Sequence, residues 1–232
     1  MSKIELLHMD GMEYMRGLPD KAFDLAIVDP PYGIGAYSNG TMGGGVLAKQ
    51  SRYKATQWDA AAPSPEYFTE LRRVSRNQIV WGANHFIASM PFSSPCWVVW
   101  DKVNGENNFA DAELAWTSFE TAVRIFSFRW QGMLQGNMAA KEARIHPTQK
   151  PVALYRWLLK NYAKPGQRIL DTYLGSGSIA IACDIEGFDL VGCEIDADYI
   201  AGARKRLADH QAQPRLFETE KPDHVQLQIS VQ

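Results

Sequence analysis

A chain of 232 residues, 46% hydrophobic and 22% charged, has the size and make-up of one globular domain, which excludes disordered, collagen-like and coiled-coil proteins. Its 24 Lys and Arg against 26 Asp and Glu give a net charge of −2, which excludes a globally basic, histone-like binder while leaving room for a local basic surface. Three cysteines (Cys96, Cys183, Cys193) without metal or redox spacing, no apolar run long enough to span a bilayer, and an acidic start point to a cytoplasmic protein with no metal and no membrane partner.

In chain order, short β-branched apolar runs at residues 4–8, 24–28, 78–81, 97–100, 168–170 and 190–193 read as strands buried on both faces, most ending at a polar or small residue. Helical periodicity covers residues 64–75, 151–162, 178–186 and 197–210, with Pro151 suited to a first turn and Asp196 near a cap. Residues 113–119 and 122–128 are expected to pair as antiparallel strands. The alternation predicts a doubly wound, mostly parallel α/β sheet whose ligands sit at the carboxyl ends of the strands. Residues 1–210 read as one domain and 211–232 as a polar tail.

Two stretches interrupt this rhythm. Residues 33–58 carry Lys49, Arg52 and Lys54, no acid, and six glycines between Gly33 and Gly45. Residues 121–150 hold Arg124, Arg129, Lys141, Arg144 and Lys150 against the single acid Glu142. A long glycine-rich loop inside a compact domain is usually functional. The inserts at about 33–58 and 121–145 are the expected contacts to a polyanion.

Three motifs bear on chemistry. Asp29-Pro30-Pro31-Tyr32 directly follows a strand. Two prolines stiffen the backbone and remove two N–H donors, so carbonyls and one carboxylate face a ligand that donates hydrogens, such as an exocyclic amine. Asp171-Thr172-Tyr173-Leu174-Gly175-Ser176-Gly177-Ser178 runs from a strand into a helix. Its glycines admit a ligand close to the backbone, and read alone they also match a dinucleotide fingerprint, with Glu194 as a ribose-binding acid. Asp171 decides between the two, because an anion there repels a pyrophosphate and attracts an ammonium or sulfonium. S-adenosylmethionine fits better than NAD. The third motif, His146-Pro147-Thr148-Gln149-Lys150-Pro151, precedes a helix and means little by itself.

Together the motifs resemble the amino-group DNA methyltransferases. Asp29, Pro30, Pro31 and Tyr32 are similar to the family's catalytic corner, His146 to Pro151 to the segment ahead of its cofactor loop, and Asp171 to Ser178 to its glycine motif. The order, with the catalytic corner first, matches the circularly permuted β class acting on adenine N6 or cytosine N4. The resemblance implies a seven-stranded, Rossmann-like S-adenosylmethionine-dependent methyltransferase sheet. It assigns cofactor contacts to Asp10, His146, Thr148, Lys150, Asp171, Tyr173, Gly175, Ser176, Gly177, Glu194 and Asp196. It also implies double-stranded DNA as partner, with contacts from Lys49, Arg52, Lys54, Arg124, Arg129, Lys141 and Arg144. Related enzymes are often dimers and often paired with a restriction nuclease. The family's usual Asp-Pro-Phe is replaced here by Asp171-Thr172-Tyr173.

The resulting expectation is methyl transfer to the amine of a flipped adenine, with Tyr32 stacking on the base. Cytosine N4, RNA or a protein amide are alternative acceptors. A nicotinamide oxidoreductase, suggested by the glycine pattern alone, leaves Asp29 to Tyr32 unexplained. A non-catalytic DNA-binding module would be expected to show disabled motifs, and these are intact.

Overall fold

The computed structural model describes residues 2–34, 41–42, 51–52, 59, 61–90, 92–105, 110–131, 134–139 and 141–213. Its elements in chain order are β1 (Ile4–His8), α1 (Gly11–Arg16), β2 (Phe23–Val28), β3 (Thr41–Met42), β4 (Ser51–Arg52), α2 (Pro65–Val74), β5 (Ser75–Trp81), β6 (Trp97–Asp101), β7 (Ala112–Thr117), β8 (Arg124–Ser127), β9 (Trp130–Gln131), β10 (Leu134–Gln135), α3 (Val152–Tyr162), β11 (Arg168–Asp171), α4 (Ser178–Glu186), β12 (Asp189–Glu194) and α5 (Ala197–Gln211). A short 3₁₀ turn, Ala83–His85, follows β5.

Eight strands form one sheet in the order β1-β12-β11-β2-β5-β7-β6-β8. Only β7 is antiparallel to its neighbours, so the other seven all run one way. This is the expected α/β, Rossmann-like sheet, with eight strands in place of seven. The expected pairing of residues 113–119 with 122–128 is not formed. β6 lies between them instead, β7 pairing antiparallel along one edge and β8 parallel along the other.

Side chains alternate along each strand, and the alternation builds two cores. Leu25, Ile27, Ile79, Trp81, Ile169 and Leu190 point to one face, where α3 and α4 contribute Leu154, Leu158, Ile179 and Ala182. Ala26, Val28, Val80, Leu170 and Val191 point to the other, against Tyr67, Phe68 and Leu71 of α2 and Met15 of α1, and Phe23 at the start of β2 packs with this second cluster. The short helix α1 is absent from the sequence reading, since six residues give too little periodicity. Asp10 caps it by accepting from the Glu13 amide.

Seven strands ending together gather their carboxyl termini on one edge. Asp29 follows β2, Asp171 ends β11 and Glu194 ends β12. The reversed strand β7 brings its beginning, Ala112 and Glu113, to that same edge, opposite Asp101 and Trp100.

Candidate active site

The corner after β2 is built on rigid backbone. Asp59 accepts from the amides of Tyr32 (2.6 Å) and Gly33 (3.0 Å), which fixes the chain as it leaves Pro30 and Pro31. The Tyr32 hydroxyl donates to Asp29 Oδ1 at 2.9 Å. The Tyr32 ring stacks on His85 at 4.8 Å between centroids and 15° between planes, and it lies against Gly82. Gly82 has φ of +69°, and a Cβ there would collide with the Tyr32 ring. Gly82→Ala is therefore expected to displace Tyr32, remove activity and lower Tm by roughly 5–10 °C, measurable by thermal melting beside an activity assay.

Lys150 reaches from the segment ahead of α3 into this corner. Its side chain is 2% exposed, and Nζ sits 2.5 Å from Asp29 Oδ2, 3.1 Å from Glu113 Oε2 and 3.3 Å from the Tyr32 hydroxyl. The aromatic faces of Trp81 and Tyr32 lie 5.4 and 5.7 Å from the ammonium. Glu113 is shared with Lys102 at 2.5 Å. Two carboxylates and two ammonium groups thus compensate one another. Burial pushes Glu113 up, but Lys150 and Lys102 override it and hold the carboxyl at about 2. Burial opposes the charge on Lys150, yet Asp29 and Glu113 keep it a cation with its pKa above the ordinary value. Burial raises Asp29, and the Lys150 charge limits that rise.

One strand away lies the glycine loop. Asp171 is 1% exposed and accepts from the Tyr173 amide at 2.9 Å. Burial, against that one hydrogen bond and with the negative charge of Asp29 nearby, pushes its carboxyl up to about 8. Gly175 and Gly177 take left-handed φ values of +51° and +73°, and Gly177 lies so close to Ala203 that a Cβ would stand 2.8 Å from it. Glu194 ties the loop to the next turn by accepting from the amides of Gly175 (2.8 Å) and Asp196 (2.9 Å). His146 lies on the other side of Gly175. It accepts at Nδ1 from the Thr148 amide at 3.3 Å, and its ring meets Tyr199 edge-on at 4.3 Å. Burial and then the Lys150 charge push its pKa down to about 4, so it is neutral. Ser176 offers its carbonyl to Arg206 of α5 at 2.5 Å.

The departures from the motif are accommodated locally. The Thr172 hydroxyl is 2.6 Å from the Tyr67 hydroxyl, and Thr172 packs so tightly on Gly11 that a Cβ there would overlap it. Tyr173 is half-buried against Tyr67, with ring centroids 5.4 Å apart. Asp196 caps α5, accepting from the amides of Asp198 and Tyr199.

The basic residues are scattered. Arg129 and Lys141 are exposed, and Arg129 lies past the carboxyl end of β8 on the site's edge. Arg124 opens β8 opposite Val98, three residues or about 10 Å from the end that faces the site. Arg144 folds back over the Trp130 ring at 4.6 Å and donates to the Trp130 carbonyl, because the planar guanidinium stacks well on indole. Lys49, Lys54 and the side chain of Arg52 lie outside the described residues.

Glu113, Asp59 and Lys102 belong to the site and carried no signal in the sequence beyond ordinary surface charges. Glu113 sits on a strand whose direction brings its start to the site, which only the sheet topology decides. Asp59 reaches back 27 residues to the Tyr32 amide.

Comparison with known proteins follows the same lines. Residues 96–205 match the DNA methylase family of N6 and N4 methyltransferases. The Type II methyltransferase M.HinfI of Haemophilus influenzae is 24% identical over 262 aligned positions, which cover 92% of this chain and 70% of that one. Among solved structures, M1.HpyAVI in complex with SAM superposes with a TM-score of 0.55 at 21% identity, covering 88% of this chain and 100% of that one. The PvuII DNA methyltransferase, described as cytosine-N4-specific, superposes with a TM-score of 0.57 at 12% identity, covering 90% and 92% of the two chains. Sequence and fold thus agree with the resemblance that the motifs carry.

Proposed function

We infer that this chain is an amino-group DNA methyltransferase, and we propose that it methylates adenine N6 in double-stranded DNA with S-adenosylmethionine as donor. The observation that carries this reading is the adjacency of β2 and β11, which pair in parallel, Leu170 opposite Ala26, and so bring Asp171 and Asp29 to the same end of neighbouring strands. The residues present fit the donor. Asp171 is a buried carboxylate whose raised pKa marks a place where a positive group would be welcome. Around it, glycine backbone, Glu194 and the neutral His146 leave a surface suited to an uncharged sugar and base. The donor, when bound, supplies a methyl group already activated by a sulfonium, so no covalent enzyme intermediate is required.

The chain itself holds the acceptor. An exocyclic amine is a poor nucleophile because its lone pair is delocalised into the ring. Asp29 and the Pro30 carbonyl accept its two hydrogens, which favours a pyramidal nitrogen whose lone pair is free to attack. As the nitrogen gains the methyl it becomes acidic, and Asp29 is placed to take the proton. A base inside a duplex cannot reach this corner and must be extruded. Tyr32, with its hydroxyl turned to Asp29 and its ring already stacked on His85, forms a wall of the niche rather than a free stacking plate. The permuted order favours a nucleobase as acceptor, and an acid at the first position of the corner favours adenine.

A tritiated methyl-transfer assay on duplex DNA, RNA and protein, followed by methylation-aware sequencing, tests the reading. N6-methyladenine in duplex DNA is expected; label in RNA or protein alone, or N4-methylcytosine, overturns its corresponding part. If the basic inserts and the exposed Arg129 and Lys141 meet phosphates, affinity for duplex falls about a hundredfold between 50 and 200 mM salt, as about four contacts require. A flat titration removes them from the interface.

A further inference from the structure

We propose that Lys150, held in place by Glu113, is a positioning residue that fixes Asp29 as an oriented anion before the acceptor amine arrives. The proposal rests on the reading of Asp29 as the amine's acceptor and adds to it a device for preparing that carboxylate. Three observations carry it. The Lys150 ammonium is buried and binds Asp29 at Oδ2, while Oδ1 takes the Tyr32 hydroxyl, so both oxygens are tied and the carboxylate plane is fixed. Lys150 cannot leave, because Glu113 grips it from β7 while the Trp81 and Tyr32 rings lie beside it. Glu113 is itself anchored by Lys102, whose following residue, Val103, adopts a φ of +50°. A β-branched residue in the left-handed region is strained and persists only where its surroundings hold it. Here Asp101 accepts from the Val103 amide and the Val103 carbonyl accepts from Arg129.

The chemical need is plain. A carboxylate buried in a niche that excludes water tends to take up a proton, and a protonated Asp29 is a weaker acceptor and cannot take the proton the amine sheds. A permanently charged neighbour prevents that. Lysine supplies the charge as a compact point, and Glu113 with Lys102 balances it so that the corner as a whole stays neutral. The groups that face Asp29 are Lys150 ahead of α3, Glu113 on β7, Tyr32 in its own loop, Tyr155 on α3 and Asp171 at the end of β11. Lys102 and His146 act through Glu113 and Lys150.

The two partners should move the acid limb of the kcat profile in opposite directions. Lys150→Met removes the cation that opposes burial, so Asp29 protonates more readily. The limb is expected to rise by about one pH unit, with kcat at neutral pH about tenfold lower. Glu113→Gln keeps shape and removes a negative charge, so the limb is expected to fall, with Lys150 still seated. Donor affinity, read by calorimetry, should stay within about threefold in Glu113→Gln, since Glu113 lies on β7 and is not among the charges that act on Asp171. Wild-type profiles in both variants, or limbs moving the same way, overturn the proposal. Should Lys150→Met fail to fold, the isosteric Glu113→Gln decides alone, and an unshifted or raised limb overturns it. Failure of the underlying reading looks different, because wild-type protein would then transfer no methyl to duplex DNA, or Asp29→Ala would remain active.

Discussion

Asp29→Ala is expected to lower methyl transfer by about a thousandfold while S-adenosylmethionine binding stays within about threefold. The split follows from where the carboxylate stands. It faces the acceptor niche with Tyr32 and Lys150, one strand away from the Asp171 and glycine surface that fits the donor. Removing it leaves Lys150 with Glu113 as its remaining carboxylate, so some stability should be lost too, about 1–3 kcal/mol. Thermal melting beside a binding isotherm and a methyl-transfer assay separates the three quantities. A variant that still methylates DNA at near the wild-type rate would show that the corner serves something else.

Asp171→Asn should act in the opposite sense on stability and on binding. The folded state raises the Asp171 carboxyl from the ordinary range to about 8. Between about pH 4 and pH 8 the unfolded chain therefore carries this group ionised while the folded protein holds it protonated. The folded state binds more protons in that window, so stability falls as pH rises through it, and above pH 8 the full cost of a buried anion is present. Asparagine removes that cost and still offers an oxygen to the Tyr173 amide. The ligand-free variant should thus melt about 5 °C higher than wild type at pH 8, with the difference vanishing near pH 4. Its affinity for S-adenosylmethionine should drop about a hundredfold, because the group that neutralises the buried anion in the wild type would meet a neutral amide. Equal melting temperatures at pH 8 would locate the carboxylate in a better-solvated place than the structure gives it.

Both variants touch residues that were legible in the linear sequence, and the reason is local. A strand followed by Asp-Pro-Pro-Tyr, or by an acid and then Gly-x-Gly, defines its backbone geometry within a few residues. His146 and Thr148 were legible in the same way and do lie on the glycine loop. Lys150, four residues past His146, was not, because the loop turns there and sends the side chain across to β2. The stacking of Arg144 on Trp130, fourteen residues before it, likewise depends on the tertiary structure.

Alone, the sequence determined the alternation of strands and helices, the two cores that follow from their apolar faces, and the identity of the residues at the two key strand ends. These depend on side-chain periodicity and turn chemistry, which act over a handful of neighbours. The tertiary structure decided the direction of β7, the eighth strand, and with them the arrival of Glu113 beside Lys150 and Asp29. Such a meeting depends on which strands pair and which way they run, and so on hydrogen bonds between segments far apart in the chain.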